Sequence, residues 1–254
     1  MKINQFIPPI VNSVYRKLRS NTKTSYKIGK YDIQIPSNFA LPHFQKTHKL
    51  YDRFLPILVN KINSDKIIID VGANIGDTAI AMIQNCNNPI ICIEPSDTFF
   101  PYLENNITRL ESVDSNRVNI IKKMVGTSSI AGSLNHKEGG TASLNVVESS
   151  NLTTHIALDK IVDDVSNIVL LKVDTDGFDF DVIRSAEEIL SSSEPVLFWE
   201  NEISEDFQIT ISAKKLFDIT RALPEDSKID FQIEENKVTV KAKKSRFNLQ
   251  TLPP

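Results

Sequence analysis

The amino-acid sequence predicts an α/β protein built on a doubly wound, mostly parallel β-sheet with an antiparallel C-terminal hairpin. From residue 67 onward, short apolar runs alternate with segments of helical period, and turn residues separate them. Residues 229–242 instead alternate apolar and polar side chains around Glu235-Asn236, which is typical of a hairpin. Strand–helix alternation favours helices on both faces of the sheet. Right-handed crossovers then place a ligand crevice at the carboxyl ends of the strands.

The elements follow in chain order. Five apolar runs are predicted as strands of the sheet, at residues 67–71, 89–95, 117–125, 167–174 and 194–201. Four segments of helical period are predicted as helices, at residues 77–86, 96–110, 180–190 and 212–223. Residues 126–157 are rich in Ser, Thr, Asn and Gly, so we expect an excursion loop or hairpin there.

The N-terminal part has its own charge pattern. The chain of 254 residues has a net charge of -3, which does not indicate nucleic acid as a partner, yet residues 1–30 contain seven basic residues and no acidic one. Residues 10–18 show an apolar face at helical spacing. They form either a helix packed on the domain or a basic amphipathic helix on an anionic membrane surface or lipid-linked substrate. We therefore divide the chain into a basic extension, 1–40, and one domain, 41–254.

Cysteine usage and hydropathy indicate the compartment. Cys86 and Cys92 form no CxxC motif, and we expect two reduced, buried thiols. No N-terminal run has the pattern of a secretory signal, and no apolar stretch reaches the length that spans a bilayer. We expect a cytoplasmic protein, peripheral at the inner membrane surface if the basic helix binds there.

A glycine turn follows the first predicted strand in the stretch "DVGANIGD". Gly72 leaves the strand and Gly76 opens the next helix, positions where glycine permits close approach of a ligand. Asn74 occupies the place of the central glycine of the dinucleotide fingerprint, which exists so that backbone can approach a pyrophosphate. The turn therefore favours a ligand without a pyrophosphate and disfavours NAD or FAD.

Glu94 ends the second predicted strand, at the position where a carboxylate accepts the hydroxyls of a ribose. A ribose-binding carboxylate beside a turn without a pyrophosphate site suggests a nucleoside that carries a small zwitterion. S-adenosylmethionine is such a molecule, and it is the predicted cofactor.

The fourth predicted strand ends in "LLKVDTDGFDFDVI". Asp174 terminates the strand and Asp176 follows, so Asp70 and Asp174 are expected to flank one crevice. The Asp-x-Asp-Gly spacing is too short for an EF-hand loop, and no metal is predicted. Asp179 and Asp181 are expected to favour the start of the next helix.

Four stretches together resemble the FkbM-type family of class I S-adenosylmethionine-dependent methyltransferases. They are "IIIDVGANIGDT", "ICIEPSDTFFPYLENNI", "HIALDKIV" and "LLKVDTDGFDFDVI", and with the lead-in at 41–59 the resemblance covers residues 41–201. It implies a Rossmann-like, seven-stranded methyltransferase domain over 41–254. It also implies O-methylation of a hydroxyl on a sugar, polysaccharide or related natural product.

The resemblance also implies roles for individual residues. Those that would line the methionine end of the cofactor are Asp70, Gly72, Ala73, Asn74 and Gly76. Those that would face its ribose are Glu94, Pro95 and Ser96. Those that would face the methyl group and the acceptor are Asp174, Asp176 and Gly177. Asp159 lies in an element with an architectural role.

Two regions depart from the family pattern. The third strand ends without the acidic residue that reads the adenine amine in many methyltransferases, so backbone near Val125 and Gly126 is expected to replace it. The chain beyond residue 201 also differs from the family, which leaves open how the acceptor pocket closes at that edge.

A sugar hydroxyl is a poor nucleophile, so the predicted reaction calls for a general base as well as alignment. Asp174 or Asp176 is the predicted base, Glu200 is the next candidate, and His155 is expected on a surface loop. The expected partner is a small-molecule or glycan acceptor. Two alternatives remain: a non-catalytic module that binds a nucleoside or glycan, and a nicotinamide-dependent oxidoreductase.

Overall fold

A computed structural model describes most of the chain. The described residues are 24–47, 53–62, 64–127, 132–136, 142–146, 155–199, 215, 218, 219, 222, 229–234, 237–242 and 245–251. The basic helix predicted at residues 10–18 and the candidate base Glu200 lie outside these residues.

A parallel sheet of five strands forms the centre of the described structure. Its strands are β3 (Ile67–Val71), β4 (Ile90–Ile93), β5 (Val118–Ile121), β8 (Ile168–Val173) and β9 (Val196–Trp199). They are ordered β5-β4-β3-β8-β9, and each neighbouring pair is parallel. The order reverses between β3 and β8, so the predicted doubly wound arrangement is confirmed. The carboxyl ends of these two strands form the switch point.

Helices cover both faces of this sheet. They are α1 (Leu41–Thr47), α2 (Phe54–Ile62), α3 (Asp77–Ile83), α4 (Phe100–Thr108), α5 (Ser112–Ser115), α6 (Asp179–Arg184) and α7 (Glu187–Ser192). Side chains of α2, α3 and α4 share one buried cluster with Ile68 and Leu170. Side chains of α6 and α7 share a second cluster with Ile69 and Leu171. Successive residues of a strand point to opposite faces, which explains this division.

The C-terminal strands form a sheet of their own. The predicted hairpin is confirmed as β10 (Ile229–Glu234) and β11 (Lys237–Ala242), and β12 (Ser245–Gln250) pairs antiparallel with β11. The central sheet therefore has five described strands instead of the seven predicted. The physical reason is the pattern of this segment: Val238, Val240 and Leu249 give one apolar face, which joins the cluster under α6 and α7.

An N-terminal hairpin packs against the opposite cluster. It consists of β1 (Ser25–Ile28) and β2 (Tyr31–Gln34). Ile33 and Ile35 are each 1% exposed and pack with α3 and α4, so the core includes part of the segment that we expected to be an extension. The division at residue 40 stays a prediction. Within the described residues, no helix has the length and apolar character needed to cross a membrane.

The excursion after β5 contains a third hairpin, as expected from its composition. It comprises β6 (Gly132–His136) and β7 (Ala142–Val146). Val125 and Ile156, which lie on either side of this excursion in the sequence, form a parallel bridge. The Gly126 N–H donates to the Ile156 carbonyl at 3.2 Å, and the Ile156 N–H donates to the Met124 carbonyl at 3.0 Å.

Candidate active site

The turn between β3 and α3 is built from left-handed backbone. Gly72, Asn74 and Gly76 have φ values of 79°, 49° and 85°. Asparagine tolerates this region better than most side chains. Asn74 therefore preserves a glycine-like backbone, although the sequence departs from the dinucleotide fingerprint there. Ala73 is 1% exposed, which anchors the turn on the apolar core.

Gly72 lies directly against the end of β8. A Cβ at this position would lie 1.7 Å from the Asp174 carbonyl oxygen, a distance that no side chain permits. A Cβ at Gly76 would lie 2.8 Å from Leu103 Cδ1 of α4. Gly72 is therefore required by close approach to backbone as well as by φ, whereas Gly76 is favoured chiefly by its φ. The first contact joins the two strand ends that sequence reasoning expected to flank one crevice.

Glu94 holds the glycine turn and the following loop together. Its Oε2 accepts the Asn74 N–H at 2.8 Å, and its Oε1 accepts the Ser96 N–H at 2.8 Å. Glu94 is 6% exposed, and burial raises its pKa to about 7 despite these two bonds. The Ser96 hydroxyl in turn accepts the N–H groups of Thr98 and Phe99, each at 3.1 Å, which fixes the approach to α4.

A buried network of polar side chains lies beneath the glycine turn. The Thr78 hydroxyl donates to Asp70 Oδ2 at 2.8 Å, and Lys172 Nζ donates to Asp70 Oδ1 at 2.8 Å. Lys172 Nζ also lies 3.3 Å from the Gly72 carbonyl oxygen and 3.5 Å from Asp174 Oδ2. Sequence reasoning missed Lys172. The available signal was a single lysine inside the apolar run "NIVLLKVD".

The site is strongly acidic. Asp77 lies at the start of α3 and is 9% exposed, and burial raises its pKa to about 6. The Lys172 ammonium opposes this rise, whereas Asp70 and Asp174 add to it. The carboxylates around Lys172 thus exceed its single positive charge. Such surroundings favour a cationic ligand over an anionic one.

The turn after β8 is more open. Asp176 and Gly177 have φ values of 51° and 109°, and both are exposed. Asp179 was expected to favour the start of the helix, but it also closes this turn. Its Oδ1 accepts the Thr175 N–H at 3.0 Å, and its Oδ2 accepts the Gly177 N–H at 3.3 Å. Burial raises the pKa of Asp179.

A carboxylate of α6 bonds the segment that follows β5. Asp181 of α6 accepts the Thr127 N–H at 3.0 Å and also bonds the Thr127 hydroxyl. His155 is not on the surface, as we expected, because its side chain is only 1% exposed. Its Nδ1 lies 3.9 Å from Asp181 Oδ2, and burial lowers its pKa. His155 directly precedes Ile156, and the bridge from Ile156 to Val125 keeps this part of the chain against the protein.

The structure brings most of the predicted site residues to one edge of the sheet. Asp70, Gly72 and Asp174 lie in direct or one-step contact, and Glu94 contacts Asn74 and Ser96. Pro95 lies half-buried next to Glu94. Asp159 has the expected architectural role, because its carboxylate accepts the N–H groups of Glu188 and Ile189 in α7. Within the described ranges, no group of three or more His, Cys, Asp and Glu residues could hold a metal ion.

The C-terminal part of the chain resembles a replication protein. Residues 149–254 match the family model of the DNA polymerase III beta subunit, N-terminal domain. The beta sliding clamp of Pseudomonas putida is 50% identical over 52 residues, which are 20% of this chain and 14% of that protein. The chain therefore spans about a seventh of the length of this curated relative.

Two solved structures that match over more of the chain are methyltransferases. A putative O-methyltransferase from Klebsiella pneumoniae has a TM-score of 0.41 and 12% identity, covering 90% of this chain and 86% of that one. The precorrin-6y C5,15-methyltransferase from Geobacter metallireducens GS-15 has a TM-score of 0.40 and 9% identity. That match covers 80% of this chain and 87% of the Geobacter protein.

Proposed function

We propose that this chain is an S-adenosylmethionine-dependent O-methyltransferase that acts on a hydroxyl of a sugar, polysaccharide or related natural product. The observation that carries the proposal is the Glu94 carboxylate, which accepts the Asn74 N–H at 2.8 Å. That N–H lies in the glycine turn, where a dinucleotide would place its pyrophosphate. Because Glu94 already occupies this donor, the N–H is not available to a phosphate oxygen, and the site is suited to a nucleoside without a pyrophosphate.

The residues of the turn fit this cofactor. Gly72 has no room for a Cβ beside the Asp174 carbonyl oxygen, so it holds the turn tightly against the end of β8, where the cofactor is proposed to bind. The excess of carboxylates around Lys172 suits a ligand that carries positive charge. When bound, S-adenosylmethionine supplies an electrophilic methyl group on a sulfonium that is itself cationic. The ribose-facing role of Glu94, Pro95 and Ser96 is part of this proposal.

Asp174 is the proposed general base. Its side chain is 35% exposed at the switch point, and the Lys172 ammonium lies 3.5 Å from its Oδ2. It can therefore accept a proton from an acceptor hydroxyl while its carboxylate stays paired with the buried Lys172 ammonium. Asp176 is exposed two residues further on and is the second candidate. Most of the rate enhancement is expected from alignment of the reactants, since a methyl transfer requires an in-line approach.

Calorimetry tests the cofactor and separates the alternatives. We expect saturable binding of S-adenosylmethionine and no binding of NAD, because the Asn74 N–H is engaged by Glu94. Binding of NAD alone would support the oxidoreductase alternative and overturn the proposal. Mass spectrometry of glycans incubated with the chain and S-adenosylmethionine then tests transfer. One added CH2 on a glycan supports the enzyme, whereas binding without any transfer supports the non-catalytic module.

The match to the DNA polymerase III beta subunit favours a second candidate function for the C-terminal part. In this candidate, the segment acts as a sliding-clamp unit that encloses DNA. The packing of its apolar face against the cluster under α6 and α7 argues for a structural role instead. Retention of the full chain on nicked circular DNA, with release when the circle is cut, would favour the clamp. Equal behaviour on circular and linear DNA would exclude it.

A further inference from the structure

Lys172 is an ammonium group in the interior of a parallel sheet. It lies in β8 opposite Asp70 of β3, and its side chain is 3% exposed. Burial of such a charge is costly unless it is paired and hydrogen-bonded. A lysine retained in an otherwise apolar strand therefore calls for a role that a hydrophobic side chain cannot fill.

The contacts of Lys172 connect three parts of the site. Its Nζ reaches Asp70 of β3 at 2.8 Å, the Gly72 carbonyl of the glycine turn at 3.3 Å, and Asp174 at the end of β8 at 3.5 Å. Asp70 also accepts a hydrogen bond from the Thr78 hydroxyl, which connects this network to the first turn of α3. One cation thus bonds the turn proposed for the cofactor and lies beside the carboxylate proposed as the base.

We infer that Lys172 is a positioning residue that fixes the glycine turn and the Asp174 carboxylate relative to each other. The inference rests on the proposed function and adds a residue to it. The ammonium remains below the turn and holds the Gly72 carbonyl and the Asp174 carboxylate in one arrangement. Loss of this cation is expected to loosen both groups at once, and small displacements of reacting groups are costly.

The first experiment measures the affinity of the full chain for S-adenosylmethionine by calorimetry. We expect Lys172→Met to bind about tenfold more weakly, because a charge-assisted bond to the turn is lost. Lys172→Arg should recover part of the affinity, since it keeps the charge with a different geometry. Lys160→Met is the matched control, because this lysine is 71% exposed and its Nζ lies 3.9 Å from Glu188 Oε1. This variant should bind S-adenosylmethionine as tightly as the wild type does.

A second pair of variants guards against loss of folding. Lys172→Met leaves Asp70 as an uncompensated buried charge, so the same change is also made in an Asp70→Asn background. We expect the double variant to bind about tenfold more weakly than Asp70→Asn alone, because Lys172 still holds Gly72 and Asp174 in the single variant. Equal affinities would mean that Lys172 only neutralises Asp70, which would overturn the inference.

A double-mutant cycle on turnover tests the connection to Asp174. Lys172→Met should lower kcat in the wild-type background by about 100-fold, and by less than about threefold in an Asp174→Asn background. Effects that multiply independently would contradict the coupling. Wild-type affinity in Lys172→Met would overturn the inference and leave the proposed function intact. A wild-type chain that does not bind S-adenosylmethionine would overturn both.

Discussion

The two turns that meet at the switch point differ in how tightly they are built. The turn from Gly72 to Gly76 is enclosed: both glycines face atoms that a Cβ would overlap, and Glu94 bonds the backbone between them. The turn from Asp174 to Gly177 is exposed, and a Cβ at Gly177 would meet no atom within 4 Å. The difference teaches that the first turn is held in one conformation, which suits the proposed cofactor site. The second turn leaves space, which suits the proposed acceptor site.

The largest effect is expected from Gly72→Ala, with Gly177→Ala as its matched control. Both glycines have positive φ, so each change costs about 1–2 kcal/mol of backbone strain. Only Gly72→Ala also places a Cβ 1.7 Å from the Asp174 carbonyl oxygen. We expect it to lower the free energy of unfolding by more than about 3 kcal/mol and to abolish cofactor binding. Similar thermal unfolding midpoints for the two variants would contradict the contrast between the turns.

Asp174→Asn is expected to have the next largest effect, on turnover alone. Removal of the base should lower kcat by about 10²–10⁴-fold. The affinity for S-adenosylmethionine should stay within about threefold of the wild type, because the glycine turn keeps its bonds to Glu94 and Lys172. Steady-state kinetics with an unmethylated acceptor glycan, identified beforehand by mass spectrometry, measures kcat, and calorimetry measures the affinity. Wild-type turnover would exclude Asp174 as the base, and Asp176→Asn then becomes the relevant variant.

Glu94→Gln is expected to weaken the enclosed turn and change its response to pH. The amide cannot accept both backbone N–H groups, so S-adenosylmethionine affinity should fall about tenfold. The folded pKa of Glu94 is about 7, against an ordinary value of 4.5. Affinity of the wild type should therefore fall as the pH drops below about 7, whereas Glu94→Gln should show a flatter dependence.

The same shift has a consequence for stability. The raised pKa means that the neutral carboxyl is the form favoured by folding, so its contribution is fully present below pH 4.5 and is lost as the pH rises through about 7. Relative to the wild type, Glu94→Gln should therefore be more stable at pH 8 than at pH 5. Chemical denaturation at the two pH values measures this difference, and an unchanged difference would contradict the assigned pKa.

Asp159→Ala is expected to have the smallest effect and serves as a remote control for both turns. Loss of the bonds to the N–H groups of Glu188 and Ile189 should cost about 1 kcal/mol of stability. The affinity for S-adenosylmethionine should remain that of the wild type, because this carboxylate bonds the backbone of α7 rather than that of either turn. A thermal shift assay and calorimetry measure the two effects, and weakened binding would show that α7 reaches the site.

Local sequence patterns predicted the frame of the molecule but not the contacts that close it. The apolar runs and the glycine turn predicted the strands, their doubly wound arrangement and the strand ends at the crevice. The partner of Lys172 could not be predicted, because Asp70 lies on a different strand and only the register of β3 and β8 brings them together. For the same reason, the meeting of Asp181 with Thr127 and the burial of His155 depend on long-range packing.

The C-terminal segment shows the same limit at the level of whole elements. Its alternating pattern predicted a hairpin with one apolar face, and the structure confirms this over β10 and β11. The pattern does not specify which surface covers that face. β12 adds a third strand to this sheet. The rings of Trp199 in β9 and Phe231 in β10, with centroids 5.9 Å apart, pack the sheet against the rest of the structure.

The bridge between Val125 and Ile156 also bears on how such a protein can diversify. Because Gly126 and Ile156 are hydrogen-bonded to each other through their backbones, the segment inserted between them begins and ends at joined positions. The length and sequence of such an insert can change in evolution at little entropic cost to the rest of the fold. We expect replacement of this segment to change the acceptor preference of the proposed enzyme, while the glycine turn between β3 and α3 keeps its structure.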